Sequence, residues 1–180
     1  MKKINILLLT ILFITSCQSG DTEKIVTIES KYSISIPSFL VKASTELNED
    51  ASLQYLHTWK EFYVIVIDES KSEMQKALID NNLTNEYSND IEGYSDLLLD
   101  GFEDGLSIYN KSDIVDTKIN NMPAKLLSIS GRIEGVDVYY SLAFIEGKER
   151  YYQIMAWTLL NKESKYKAQM NKIMYSLKEL

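Results

Sequence analysis

The chemistry open to this chain is bounded first by what it carries only once. Its 180 residues include one cysteine, Cys17, and one histidine, His57. A catalytic triad or a histidine metal site would have to be built around His57. That residue shares a predicted strand face with Leu53, Tyr55 and Trp59, so a structural imidazole is the expectation. Carboxylates are plentiful instead. Glu92, Asp96, Asp100 and Asp104 recur every four residues and would form an acidic stripe on a continuous helix. Carboxylate metal sites in helical bundles usually add histidines, so the stripe reads as a solvated face, with weak divalent binding left open. The run Asp100-Gly101-Phe102-Glu103-Asp104-Gly105 has the composition of a calcium loop. It lacks ligands at alternate positions before the glycine and a closing bidentate Glu. With 26 acidic residues, some pair will fall at glycosidase spacing, but nothing singles one out. There is no Gly-x-Ser-x-Gly, no phosphate-cradling loop and no dinucleotide fingerprint. The expectation is a chain that is not an enzyme and has no cofactor and no metal site. Tyr139-Tyr140, Tyr151-Tyr152 and Trp157 concentrate aromatics on two late strands. Tyr139, Tyr151 and Trp157 are the candidate binding surface, since Tyr and Trp dominate interface hot spots; packing of both faces under helices is the competing expectation.

The elements that must position these residues follow from periodicity. Residues 25–28 and 32–36 are short strands around Glu29-Ser30-Lys31. In the second, Tyr32, Ile34 and Ile36 alternate with serines, and Pro37 ends it. Residues 53–59 alternate again. Residues 62–67 are apolar on both faces, as in a central strand covered above and below. Met74, Ala77 and Leu78 then fall at helical spacing, with Ser70 or Ser72 as N-cap. A second helix is expected over 88–100, stopped by Gly101 and Gly105. Strands return after residue 112, over 114–119, 124–133, 136–144 and 151–159, with Gly135 and Gly147 at hairpin turns. Tyr166, Met170, Ile173, Met174 and Leu177 form the apolar stripe of a final helix. Strands joined by tight turns imply an antiparallel sheet. Helices in two sequence blocks and strands apolar on both faces imply an α+β fold, an α/β/α sandwich with helices on both faces.

The N-terminus is of another kind. Met1-Lys2-Lys3 is a basic start, and residues 4–14 are an uncharged, mostly apolar run. That run is too short for a permanent span of ~20 residues and fits a signal-peptide core. Ile14-Thr15-Ser16-Cys17 resembles the lipobox of bacterial lipoproteins: an aliphatic residue, two small ones, then cysteine. The resemblance implies cleavage before Cys17 and attachment of diacylglycerol and palmitate-like acyl chains there, anchoring the protein in a membrane. Residues 1–16 are then the signal peptide, 17–24 the acylated cysteine and tether, and 25–180 the domain. Outer-membrane placement is favoured if the host is Gram-negative, because Gln18 rather than Asp follows the cysteine. Loss of Lys2 and Lys3 takes the formal net charge from −7 to −9. Such a domain lacks the basic footprint that nucleic acid requires. An acylated Cys17 also leaves no thiol for a disulfide.

Three segments carry a second resemblance. Tyr32-Ser33-Ile34-Ser35-Ile36-Pro37 resembles the opening strand of PsbP-like domains. Asn121-Met122-Pro123-Ala124 resembles their mid-domain turn, which usually has Gly where Asn121 stands. Ile173-Met174-Tyr175-Ser176-Leu177 resembles their closing helix. The likeness spans residues 25–180 in layout. It implies an α/β/α sandwich and a mostly non-enzymatic class whose members assist assembly, bind partner proteins or chaperone apolar helices. Metal sites of the plant members use histidines, and with His57 alone no site residue carries over. The expected function is therefore an envelope lipoprotein that binds an unidentified protein partner or assists assembly. The alternative is a carrier for a small ligand or lipid, with a pocket between sheet and helices. A hydrolase of envelope polymers ranks last.

Overall fold

A computed structural model describes residues 22–103 and 105–180. Cys17, the signal segment and Asp104 lie outside the described residues. The first strands are β1 (Glu23–Ile28), β2 (Tyr32–Pro37), β3 (Val41–Lys42), β4 (Ala51–His57) and β5 (Phe62–Ser70). Helices α1 (Lys71–Asp80) and α2 (Ile91–Glu103) follow. Then come β6 (Ser107–Lys111), β7 (Val115–Ile119), β8 (Met122–Ile133), β9 (Val136–Glu146) and β10 (Arg150–Leu159). Helix α3 (Glu163–Met174) and the short β11 (Lys178–Glu179) close the chain. The large sheet runs β3-β4-β5-β10-β9-β8-β6, with β7 also on β8. Its neighbours pair antiparallel. A separate small sheet runs β1-β2-β11.

Local chemistry accounts for most of these elements. In β2 the rings and branches of Tyr32, Ile34 and Ile36 are buried and the serines between them are partly exposed, the alternation a pleated strand imposes. Helix α1 starts at Ser70, whose hydroxyl accepts from the Glu73 amide at 3.0 Å while the Glu73 carboxylate accepts from the Ser70 amide at 3.3 Å. This reciprocal cap satisfies two donors that a helix start leaves open. Before α2, the Asp90 carboxylate accepts from the Gly93 amide at 3.0 Å and the Ser88 hydroxyl at 2.6 Å. Gly93 has no freedom to be anything larger, since a Cβ there would meet the Ser88 carbonyl at 2.1 Å.

Two apolar clusters hold the domain together. Helix α3 buries Tyr166, Met170, Ile173 and Met174 in one, with Ala143 and Ile145 of β9. Helices α1 and α2 bury Met74, Leu78, Tyr94 and Leu99 in the other, with Leu142 and Phe144 of β9. Successive residues of one strand thus divide between the clusters. Each large apolar side chain buried this way stabilises the fold by about 1.5–3 kcal/mol.

Several expectations need correction. Trp59 does not share a strand face with Leu53 and Tyr55. It sits in a 3-10 turn, Thr58–Lys60, and is 92% exposed. Glu61 closes that turn with a left-handed backbone, φ 52°. Gly101 does not stop α2, which continues to Glu103; one glycine costs a helix only about 1 kcal/mol. The final helix ends at Met174, and Leu177 is buried beyond it. The chain then pairs with β2, Lys178 opposite Ser33. Strand β6 went unpredicted because all five of its residues are exposed, so no inside–outside alternation marks it.

Candidate binding surface

Three aromatic residues line up across three adjacent strands. Trp157 of β10 pairs in register with Tyr63 of β5 on one side and Tyr140 of β9 on the other. In an antiparallel sheet, directly opposite residues carry their side chains on the same face. Tyr63 and Trp157 stack with ring centroids 5.1 Å apart and planes 10° apart. Tyr140 lies 6.0 Å from Trp157 at 31°. Phe102 of α2 meets Tyr140 edge-on at 4.9 Å. All three sheet residues stay partly exposed.

The strip borders a groove of about 270 Å³, walled by Ile133, Val136, Val138 and Leu159. Val136 is 46% exposed at the tip of the β8–β9 hairpin, where Glu134 and Gly135 both have positive φ. Glu61 and Glu134 stand at the rim, and Glu61 is paired with Lys162. Burial raises the Tyr140 phenol above its ordinary pKa, so that ring is neutral over the physiological range. The groove falls just short of the ~300–1,000 Å³ of typical small-molecule pockets. Its chemistry is that of an apolar contact surface with an acidic rim.

The three aromatic residues singled out from sequence do not converge. Trp157 is in the groove. Tyr151 is 0% exposed, stacked on Tyr94 at 4.5 Å, with its hydroxyl donating to Asn89 at 3.2 Å. Its pKa is raised to about 12, by burial first and then by Glu146 and Asp90. Tyr139 is buried in the α3 cluster, whereas Tyr151 belongs to the α1–α2 cluster. Tyr63, the stacking partner of Trp157, was missed. The strand register that joins them depends on which strands pair, and no local pattern in the sequence reveals that.

Among the described residues, His57, Glu92 and Asp100 have visible partners. His57 Nδ1 accepts from the Lys60 amide at 3.2 Å, and its ring meets Phe39 edge-on at 5.7 Å. It caps a turn. On the acidic stripe, Glu92 pairs with Lys125 at 2.7 Å, and Asp100 accepts from the Tyr87 hydroxyl at 2.8 Å. The Asp96 carboxyl is raised, by burial and then by Glu92. Lys125 also reaches Asp116 at 2.8 Å. Burial alone would lower its pKa, but its hydrogen bonds to Asp116 and Glu92 carry it above the ordinary lysine value. The stripe thus partly serves to pin α2 to β8. Among the described residues, no group of three or more His, Cys, Asp or Glu is placed to hold a metal ion.

No family model matches the chain, and no curated protein matches it. Solved structures do. Cyanobacterial PsbP (CyanoP) from Synechocystis sp. PCC 6803 aligns over 93% of this chain and 99% of its own, with TM-score 0.57 and 7% identity. LpqN, involved in cell envelope biogenesis of Mycobacterium tuberculosis, aligns over 88% and 90%, with TM-score 0.56 and 9% identity. At such identities the likeness is one of fold alone. The chain has a PsbP-like, mixed α+β fold built on a large antiparallel sheet and, among the described residues, three helices.

Proposed function

We propose that the chain is a non-catalytic lipoprotein of the cell envelope that holds a protein partner through the Trp157 groove. One observation carries this reading: a row of aromatic rings left partly exposed beside apolar groove walls on a markedly acidic chain. Tyr and Trp bring large contact area with little rotamer entropy to lose, which is why they dominate hot spots. The division of β9 between two helix-bearing clusters supports reading the domain as an α/β/α sandwich. Its sheet then serves as a rigid platform for the strip. The part of LpqN in envelope biogenesis is consistent with an accessory role in that compartment.

Anchoring comes from the N-terminus. Residues 1–16 act as a signal peptide, Cys17 takes the acyl chains, and 17–24 tether the domain. Acyl burial contributes about 0.8 kcal/mol per methylene, and more than one chain makes the anchor stable. Among the described residues no helix is long and apolar enough to cross a membrane. In a Gram-negative host the outer membrane is the favoured location.

Two measurements test the proposal. A photo-crosslinking amino acid at position 157, in the native host, should give one reproducible protein adduct. The same group at Ile25, which is 75% exposed on the small sheet, should not. No adduct at 157, or equal adducts at both sites, would overturn the groove. Cys17→Ser should abolish metabolic labelling by a fatty-acid analogue while leaving the domain folded; continued labelling would remove the anchor from the account.

A further inference from the structure

Among the described residues, Trp59 is the most exposed large apolar side chain, at 92%. It lies in the turn between β4 and β5. On the edge strand β3, Val41 is 59% exposed and pairs with Leu56, which directly precedes His57 at the start of that turn. Lys60 of the turn places its ammonium 4.8 Å from the Phe39 ring centre, and Lys42, beside Val41, is exposed. The chain as a whole has 26 acidic against 19 basic residues, yet Glu61, which closes the turn, is paired with Lys162. An exposed indole among lysines matches the chemistry of a membrane interface. Trp settles at headgroup level there, and lysine stems lie along apolar surface while the charge stays in water.

The tether enters the domain at the same end. The Thr22 carbonyl accepts from the Ser38 amide at 2.7 Å, and Glu23 opens β1 opposite Pro37. Phe39, the next residue after Ser38, meets His57 edge-on at 5.7 Å. His57 in turn accepts from the Lys60 amide. A short series of contacts therefore links Thr22, the first described residue, to the Trp59 turn. Cys17 precedes Thr22 by five residues. An extended chain spans at most ~3.6 Å per residue, so an acylated Cys17 holds Thr22 within about 18 Å of the lipid surface. Confinement at that range presents the bilayer to the turn at high effective concentration. A contact too weak to recruit a free protein is then populated. That proximity favours lipid over a soluble protein as the occupant of this surface.

We propose that the Trp59 turn, with Val41 beside it, docks into the headgroup region of the bilayer that holds the lipid anchor, so that the domain rests on the membrane by this end. The inference rests on acylation at Cys17 and does not depend on the partner of the Trp157 groove. Trp59 and Trp157 are the two tryptophans of the chain, which lets fluorescence separate them. The mature chain, residues 17–180, is coupled through Cys17 to a maleimide lipid in phosphatidylcholine vesicles, with or without brominated acyl chains that quench indole on contact. In the Trp157→Phe chain, which reports Trp59, emission should shift to the blue on coupling and fall at least about twofold with brominated lipid, as for an indole at the interface. In the Trp59→Phe chain, which reports Trp157, quenching should be clearly smaller. A Trp59 emission that coupling leaves unshifted and bromine leaves unquenched would overturn the docking, as would equal quenching of both tryptophans. Trp59→Ser should leave the melting temperature of the uncoupled chain unchanged, because so exposed a side chain buries little; a lowered one would make Trp59 structural and would also overturn it. Coupling supplies the tether chemically, so the two readings fail separately. An unquenched Trp59 in a chain that the host labels with fatty acid would remove the docking alone. A quenched Trp59 in a chain that the host leaves unlabelled would remove the anchor, and the docking with it.

Discussion

Two stacked aromatic pairs on the large sheet differ in one respect that decides what each can do. Tyr94 and Tyr151 stack at 4.5 Å and 14°, and Tyr63 and Trp157 at 5.1 Å and 10°. The geometries are close. Tyr94 and Tyr151 are 1% and 0% exposed, whereas Tyr63 and Trp157 stay partly open. The first pair joins a helix to a strand, so forming it brings α2 down and excludes water. The second joins two neighbouring strands, and among the described residues Phe102 of α2 reaches only as far as Tyr140. Stacking geometry by itself therefore says little about role. What covers the outer face of the rings separates a core contact from a surface available to a partner.

That contrast can be broken experimentally, most forcefully at the sealed pair. Tyr94→Ala should cost about 3–5 kcal/mol of stability, the range for emptying a buried aromatic site, measured by urea unfolding. A cost below about 1 kcal/mol would mean the pair is not sealed. Trp157→Ala should cost about 1–2 kcal/mol, because its side chain is only partly buried, and should leave the unfolding m-value unchanged. A loss matching that of Tyr94→Ala would make Trp157 core rather than surface. Ser70→Ala removes the cap of α1, whose first residue, Lys71, places its ammonium 5.3 Å from the Tyr151 ring centre. About 1 kcal/mol should be lost, and amide exchange should quicken first in α1.

The subtlest effect is expected at Glu69, beside the sealed pair. Its carboxyl is raised above the ordinary value, chiefly by burial and then, against a lowering hydrogen bond from Tyr94, by Asp50, Glu73 and Asp68. A raised carboxyl binds its proton more tightly in the folded than in the unfolded state. Stability contributed by this group is present below the unfolded pKa and is lost as pH rises through the folded one. Glu69→Gln should therefore gain stability over the native chain as pH climbs from acidic to neutral, with the gain fading at low pH. A gain independent of pH would assign the effect to packing instead.

Legibility from sequence followed the range of the interaction. Strands β2 and β9 were readable because alternation is a property of neighbours. The start of α1 was readable because a capping box spans four residues. The break at Trp59 and the β11 return were not, since a 3-10 turn and a two-residue strand carry no period. Of the candidate surface, Trp157 was found by composition. Tyr63 was missed because it lies far away in sequence and meets Trp157 only through pairing of β5 with β10. Tyr139 and Tyr151 looked equivalent to Trp157 until burial assigned them to different clusters.

By itself, the sequence determined the local items: a lipobox-like segment ending in Cys17, the alternating strands, the apolar stripe of α3 and the lack of catalytic motifs. All of these are set by residues within a few positions of one another. Tertiary structure alone decided which rings are sealed and which are open, and which carboxylates are paired. Those outcomes depend on strand register and on where each helix comes to rest, and both are fixed by contacts between residues distant along the chain.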